Sequence, residues 1–167
     1  MVTGDGHYTA PMKMEGSREI GAPPDYVWDR LNDPEVLRQS IVGCESIRVT
    51  GDGEFVASLK LKFGPVGASF DGRLSLSNIV DNRSYTIVFE GLGGVAGFGR
   101  GIADVNLEAR GPGTLLLFSV EAQIGGRIAR VGRPLVDGIA RRMIKDFFSR
   151  FESVIAAETG GRSSADS

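Results

Sequence analysis

The chain has almost none of the residues from which catalytic and metal centres are usually assembled. It holds one histidine, His7, and one cysteine, Cys44, in 167 residues. A lone cysteine closes no internal disulfide, which fits a reducing compartment. A single imidazole and a single thiol supply neither a nucleophile–base–acid set nor a nitrogen–sulfur ligand cluster, so no catalytic residue and no metal site is expected. An excess of positive charge is also missing. Nineteen Lys and Arg stand against 21 Asp and Glu, for a net charge of −2, which argues against a nucleic-acid partner. No apolar run is long enough to span a bilayer, and no charged-then-apolar signal opens the chain. A cytoplasmic protein is expected, with docking on a membrane surface left open.

What the chain does carry is apolar patterning. Met1 to Pro11, which includes His7, has no period and reads as a flexible extension. Met12 to Ile20 predicts a first strand. Ala22-Pro23-Pro24-Asp25 opens a helix, since proline is tolerated in a first turn and Asp25 suits the positive end of the dipole. Asn32-Asp33-Pro34 stops it, and a second short helix follows from Pro34 to Ser40. From Cys44 to Ile124 the period becomes two. Phe55, Ala57, Leu59, Leu61 and Phe63 alternate with Val56, Ser58, Lys60 and Lys62, and the same alternation runs through Ala68, Phe70, Leu74 and Leu76. Breaks rich in glycine divide the stretch into six strands, near 45–50, 54–63, 66–79, 84–90, 99–108 and 114–124.

From Arg127 to about Ala157 the chain predicts one long helix. Ile128, Val131, Leu135, Ile139, Met143, Phe147 and Phe151 recur at helical spacing, with Ile144, Phe148 and Ile155 beside them. A helix this apolar, arriving after strands with one greasy face each, is expected to lie across a curved sheet and close its open side. Its stripe is either core packing alone or the roof of an internal cavity. The fold class is therefore α+β: a seven-stranded curved antiparallel sheet wrapped around a long C-terminal helix, with two short helices after strand 1. One domain is expected over 12–157, with 158–167 as a disordered polar tail.

The fifth of the six strands carries Gly99, Gly101 and Ala103 on the same face as Val105 and Leu107. Such small residues either leave a hollow or receive Met143, Phe147 and Phe151 from the helix. Phe55, Leu59, Phe70, Leu74, Phe89, Leu116 and Phe118 converge on the same interior, which would suit a flat apolar ligand. The run Gly93 to Gly101 lacks the Gly-Lys-Ser/Thr of a phosphate loop and leads into a strand, so it reads as a mobile loop at the mouth of the sheet.

The order of elements resembles the helix-grip or START-like superfamily (SRPBCC), and particular words of the chain resemble the CoxG family of carbon monoxide dehydrogenase subunits. The matching words are Met14-Glu15-Gly16-Ser17, Ala22-Pro23-Pro24 with Val27-Trp28, Asn32-Asp33-Pro34-Glu35-Val36-Leu37, Gly43-Cys44-Glu45-Ser46 and Gly64-Pro65-Val66. Phe70-Asp71-Gly72, the Gly93 to Gly101 run, Gly125-Gly126-Arg127-Ile128-Ala129 and Asp137-Gly138-Ile139-Ala140 continue the match over about Met12 to Ile155. One departure is Ile41-Val42-Gly43, where Ile-Pro-Gly is expected.

The resemblance implies a non-catalytic accessory of the molybdenum- and copper-containing carbon monoxide dehydrogenase. It would associate that enzyme with the inner face of the cytoplasmic membrane and bind a respiratory quinone, menaquinone or another, with no covalent cofactor. On this reading the ligand-binding set is Leu59, Phe70, Leu74, Phe89, Phe98, Gly99, Gly101, Leu116, Phe118, Leu135, Ile139, Met143 and Phe147. The headgroup is expected near Phe98 and the glycine run, the tail along Met143 and Phe147. Arg127, Arg130 and Arg133 would meet anionic lipid or the dehydrogenase, solvated arginines being the plainer reading. Two further readings stay open: a recruitment factor that carries no ligand, and an enzyme acting on an aromatic or polyketide-like ligand. The polar end is short against the membrane-associating tails of many members, so a longer native tail is expected.

Overall fold

The computed structural model describes residues 11–166, with side chains to residue 160. All of the expected extension except Pro11, and His7 with it, lies outside the described residues. The elements in chain order are β1 (Met12–Ile20), α1 (Pro24–Leu31), α2 (Pro34–Ser40), β2 (Cys44–Gly51), β3 (Glu54–Phe63), β4 (Val66–Val80), β5 (Ser84–Leu92), β6 (Phe98–Arg110), β7 (Gly113–Gly125) and α3 (Arg133–Asp166). Single 3-10 turns at Gly94–Ala96 and Arg127–Val131 precede β6 and α3. Every strand pairing is antiparallel, in the order β1-β7-β6-β5-β4-β3-β2. Strands β2 to β7 are a meander of hairpins, while α1 and α2 carry the chain from β1 at one edge to β2 at the other.

Local chemistry accounts for the two short helices. Pro24 stands in the first turn of α1, whose inward residues Val27 and Leu31 are buried. Asp33 caps α2 by accepting from the Glu35 and Val36 amides at 2.9 and 3.4 Å. The following Ile41-Val42-Gly43-Cys44 turn is closed by Cys44 N–H donating to the Ile41 carbonyl at 3.1 Å. Gly43 has φ +78°, and a Cβ there would lie 2.2 Å from the Lys60 carbonyl oxygen, so glycine is required. Val42 stands where proline suits such a turn, and its amide makes no backbone hydrogen bond among the described residues. Val42→Pro is therefore expected to stabilise the protein by about 0.4–1 kcal/mol, chiefly by stiffening the unfolded chain, measured as a raised urea midpoint at constant slope.

The long helix differs from expectation at both ends. It starts at Arg133, not Arg127: Gly132 turns the chain with φ +101°, and Pro134 has no amide hydrogen to continue an earlier helix. It also runs on to Asp166, through the stretch expected to be a disordered tail from residue 158. Glu158 is held there by the Tyr26 hydroxyl and by Arg30 at 3.5 Å, and Thr159 Oγ1 donates to the Ile155 carbonyl at 2.9 Å. The core falls into two clusters along the helix. One gathers α1, α2, Leu116, Phe148, Phe151 and Ile155; the other gathers Phe63, Phe70, Ala96 and Ile128.

Candidate functional site

Between the two clusters the sheet and α3 stand apart and leave a cavity of about 320 Å³. Its sheet wall is Met12 and Met14 of β1, Ala57, Leu59, Leu61 and Phe63 of β3, Phe70, Gly72 and Leu74 of β4, Phe89 and Gly91 of β5, Gly99, and Val120, Ala122 and Ile124 of β7. Its roof is Ile128 with Val136, Ala140, Met143 and Ile144. The charged residues that border it, Arg73 and Glu90, are cross-strand partners of opposite sign. The rest of the wall is aliphatic or aromatic.

The strand glycines explain why the hollow persists. A Cβ on Gly101 would come within 2.7 Å of the Phe89 ring, on Gly99 within 3.0 Å of Ile124 Cδ1, and on Gly72 within 3.1 Å of Leu59 Cδ1. Side chains of neighbouring strands thus lie flat over the glycines instead of standing into the interior. Of the two alternatives open in the sequence, the hollow holds at Gly99, which lines this chamber, and at Ala103, which lines a second one, while Gly101 lies against the Phe89 ring.

A second chamber of about 240 Å³ adjoins the first, sharing Ile41, Leu74, Val120 and Ile144 with it. Phe55, Leu76, Ile87, Ala103, Val105, Leu116, Phe118, Phe147 and Phe148 line it on the sheet and α3 sides. Leu31, Asn32 and Leu37 close it from the helical pair, and Tyr85 joins from β5. Tyr85 is only 5% exposed, and burial pushes its phenol well above the ordinary range, so it stays protonated. Its ring and that of Trp28 pack in a T-shape with centroids 5.0 Å apart.

The expected ligand set divides accordingly. Leu59, Phe70, Leu74, Phe89, Gly99 and Met143 line the larger chamber, and Leu74, Leu116, Phe118 and Phe147 line the smaller. Four residues line neither. Phe98 neighbours Gly99 on one strand and so faces the opposite side of the sheet; its ring lies over Gly125, with the Arg100 guanidinium 4.9 Å above it. Gly101 is covered by Phe89. Ile139 packs into the Phe63–Ile128 cluster. Leu135 is 39% exposed beside Gly64. The glycine run itself is a compact connection, with Gly93 N–H donating to the Gly97 carbonyl at 2.8 Å across the 3-10 turn. Wall residues that the sequence pattern does not single out as ligand contacts include Met12, Met14, Ala57, Ala122 and Ala140, together with Tyr85 and Asn32. Strand alternation is enough to find Ala57, two residues before Leu59.

One end of the molecule carries exposed apolar groups among arginines. Val95 in the 3-10 turn is 84% exposed, and Leu92 and Leu135 are exposed nearby. The Arg127–Val131 turn abuts this segment through Gly97 and Gly126, and Arg127, Arg130 and Arg133 are all exposed. Arg133 Nε donates to Asp137 at 2.8 Å. Phe63, Ile128 and Val136 bring the wall of the larger chamber to the same end. Among the described residues no group of His, Cys, Asp and Glu is arranged to hold a metal ion, and no helix is long and apolar enough to cross a membrane.

A curved antiparallel sheet that grips one long helix over an apolar interior defines the START-like class of ligand-binding folds. The family model for the carbon monoxide dehydrogenase subunit CoxG matches residues 16–156, and the chain belongs to that family. A conserved protein from Geobacillus kaustophilus is 28% identical with a TM-score of 0.81, over 87% of this chain and 96% of that one. The Zhui aromatase/cyclase from Streptomyces sp. R1128 is 14% identical with a TM-score of 0.64, over 86% and 93% of the two chains. A START superfamily protein from Mycobacterium smegmatis is 13% identical with a TM-score of 0.64, over 87% and 97%. The last two share the fold alone. No curated protein matches in sequence. Family and fold together make this a CoxG-family protein of START-like fold with an apolar interior.

Proposed function

We propose that the protein holds a respiratory quinone, menaquinone or a relative, between its sheet and α3, and links the molybdenum- and copper-containing carbon monoxide dehydrogenase to the quinone pool of the cytoplasmic membrane. The observation that carries this reading is the pair of adjoining apolar chambers. An enzyme outside the lipid cannot reach an acceptor dissolved in it unless something shields the acceptor's tail, because each methylene exposed to water costs about 0.8 kcal/mol. The chambers supply that shield. The protein then exchanges its ligand without chemically transforming it.

The end bearing Val95, Leu92 and Leu135 is the surface that meets the bilayer in this reading. Apolar side chains enter the headgroup region while arginines attract anionic lipid, and the larger chamber lies directly behind. Binding to vesicles containing anionic lipid is expected to weaken about fivefold in Arg127→Gln and roughly tenfold in Val95→Asp, and to fall with added salt. Co-sedimentation with anionic and with neutral vesicles measures both effects.

The decisive experiment is native mass spectrometry, with organic extraction, on protein purified from a host that makes menaquinone. Recovery of bound quinone supports the carrier. Protein that is repeatedly empty and fails to take up added menaquinone sinks it, and recruitment of the dehydrogenase without ligand becomes the better account.

A further inference from the structure

The two chambers differ in one respect that the proposed ligand would feel: polarity. The larger is lined by aliphatic and aromatic groups and bordered by the charged cross-strand pair Arg73 and Glu90, whereas the smaller has the uncharged hydrogen-bonding side chains of Tyr85 and Asn32 in its wall. The Tyr85 hydroxyl has no hydrogen-bond partner among the described residues, although the residue is only 5% exposed. Among the described residues, no side-chain polar atom that is fully enclosed lacks a partner. The unbonded hydroxyl is therefore not fully enclosed by protein atoms, and Tyr85 is among the residues that line the smaller chamber. Asn32, another residue lining this chamber, donates its side-chain amide to the Trp28 carbonyl at 2.8 Å.

We infer that the smaller chamber is the headgroup site, in which Tyr85 donates a hydrogen bond to a ring carbonyl of the ligand, while the apolar tail fills the larger chamber. This rests on the quinone-carrier reading and reverses the orientation expected from the sequence, which puts the headgroup at the glycine run. The physical argument is that of an unmade bond. A hydroxyl on a residue with so little access to solvent gains a bond from a carbonyl delivered into the chamber, whereas a hydrocarbon offers it none. Burial keeps the phenol protonated, so the donor persists throughout the physiological pH range. Ile41, Leu74, Val120 and Ile144 line both chambers, which puts the two side by side, one for a flat ring and one for a chain. Since the larger chamber extends to the Val95 end, the ligand enters ring first and its tail follows.

The structure also supplies the probe. Trp28 is the only tryptophan, and it touches Tyr85. A quinone ring in the smaller chamber should quench its fluorescence. The test titrates wild type and Tyr85→Phe with menaquinone-4, and with squalene, which has a tail and no carbonyl. The inference expects menaquinone-4 to quench Trp28 and to bind about tenfold more weakly to Tyr85→Phe, with squalene uptake unchanged. Infrared spectra of menaquinone-4 bound to wild type add a readout that needs no variant: the carbonyl band should shift to lower frequency than in hexane. Unquenched Trp28 with quinone bound, equal menaquinone-4 affinity in the two proteins, or an unshifted carbonyl band overturns the headgroup assignment alone. Wild type that takes up squalene but no menaquinone-4 removes the quinone reading, and this assignment with it.

Discussion

Met143→Trp should give a folded protein that no longer takes up quinone. Met143 is in the roof of the larger chamber, between Ala140 and Ile144, and an indole there projects into space now open to a ligand. Adding atoms to a packed core normally costs about 1–3 kcal/mol, but adding them to a standing cavity replaces missing contacts. Stability should therefore hold, while quinone affinity falls by roughly a hundredfold, about 3 kcal/mol. Leu135→Trp is the matched control. Leu135 lies on the same helix and belongs to the same apolar row in the sequence, but it is exposed and lines neither chamber. Equilibrium titration of both variants with menaquinone-4, beside thermal melts, checks the result. Loss of binding in Leu135→Trp with retention in Met143→Trp would overturn the location of the site.

The largest stability loss is expected for Phe151→Ala. Phe151 is fully buried and stacks on Phe147 with ring centroids 5.8 Å apart at an interplanar angle of 12°. Its cluster joins α1, the start of β7 and α3, so deletion leaves a void at the point where three elements meet. Such truncations cost about 3–5 kcal/mol, a large part of the roughly 5–15 kcal/mol that holds a domain folded. A melting temperature lower by about 10 °C and a matching fall in the urea midpoint are expected. A loss below about 1 kcal/mol would mean that the site collapses around the missing ring.

The strands were legible because a half-buried sheet prints its two faces on the sequence in alternation. Glu54–Phe63 and Met12–Ile20 have the bounds the pattern predicts, and Pro34–Ser40 was marked by its flanking Asp33 and Pro34. The site was less legible, for two geometric reasons. Adjacent residues on a strand point to opposite faces, so Phe98 and Gly99 could not both line one interior. A helical row stepped strictly by four drifts about 40° around the axis at each step, so four steps from Phe151 back to Leu135 accumulate about 160°. Val136, Phe148, Phe151 and Ile155 are the buried residues of α3, Met143 and Phe147 line the chambers, and Leu135 drifts out to solvent. Tyr85 was silent for a different reason: nothing in its neighbourhood in sequence tells that its hydroxyl lacks a partner.

The pairing of β1 with β7 has a kinetic meaning. Met12 to Ile20 find their partners between Thr114 and Ala122, about a hundred residues away, whereas each strand from β2 to β7 pairs with the next one along. Short loops close cheaply and long ones do not, so the meander can assemble hairpin by hairpin while β1 waits. During synthesis that wait lasts until β7 has left the ribosome. Met12 and Met14, which wall the larger chamber, belong to β1, and Val136, Ala140, Met143 and Ile144, which roof it, belong to α3 and are made after β7, so the chamber draws its walls from both ends of the chain.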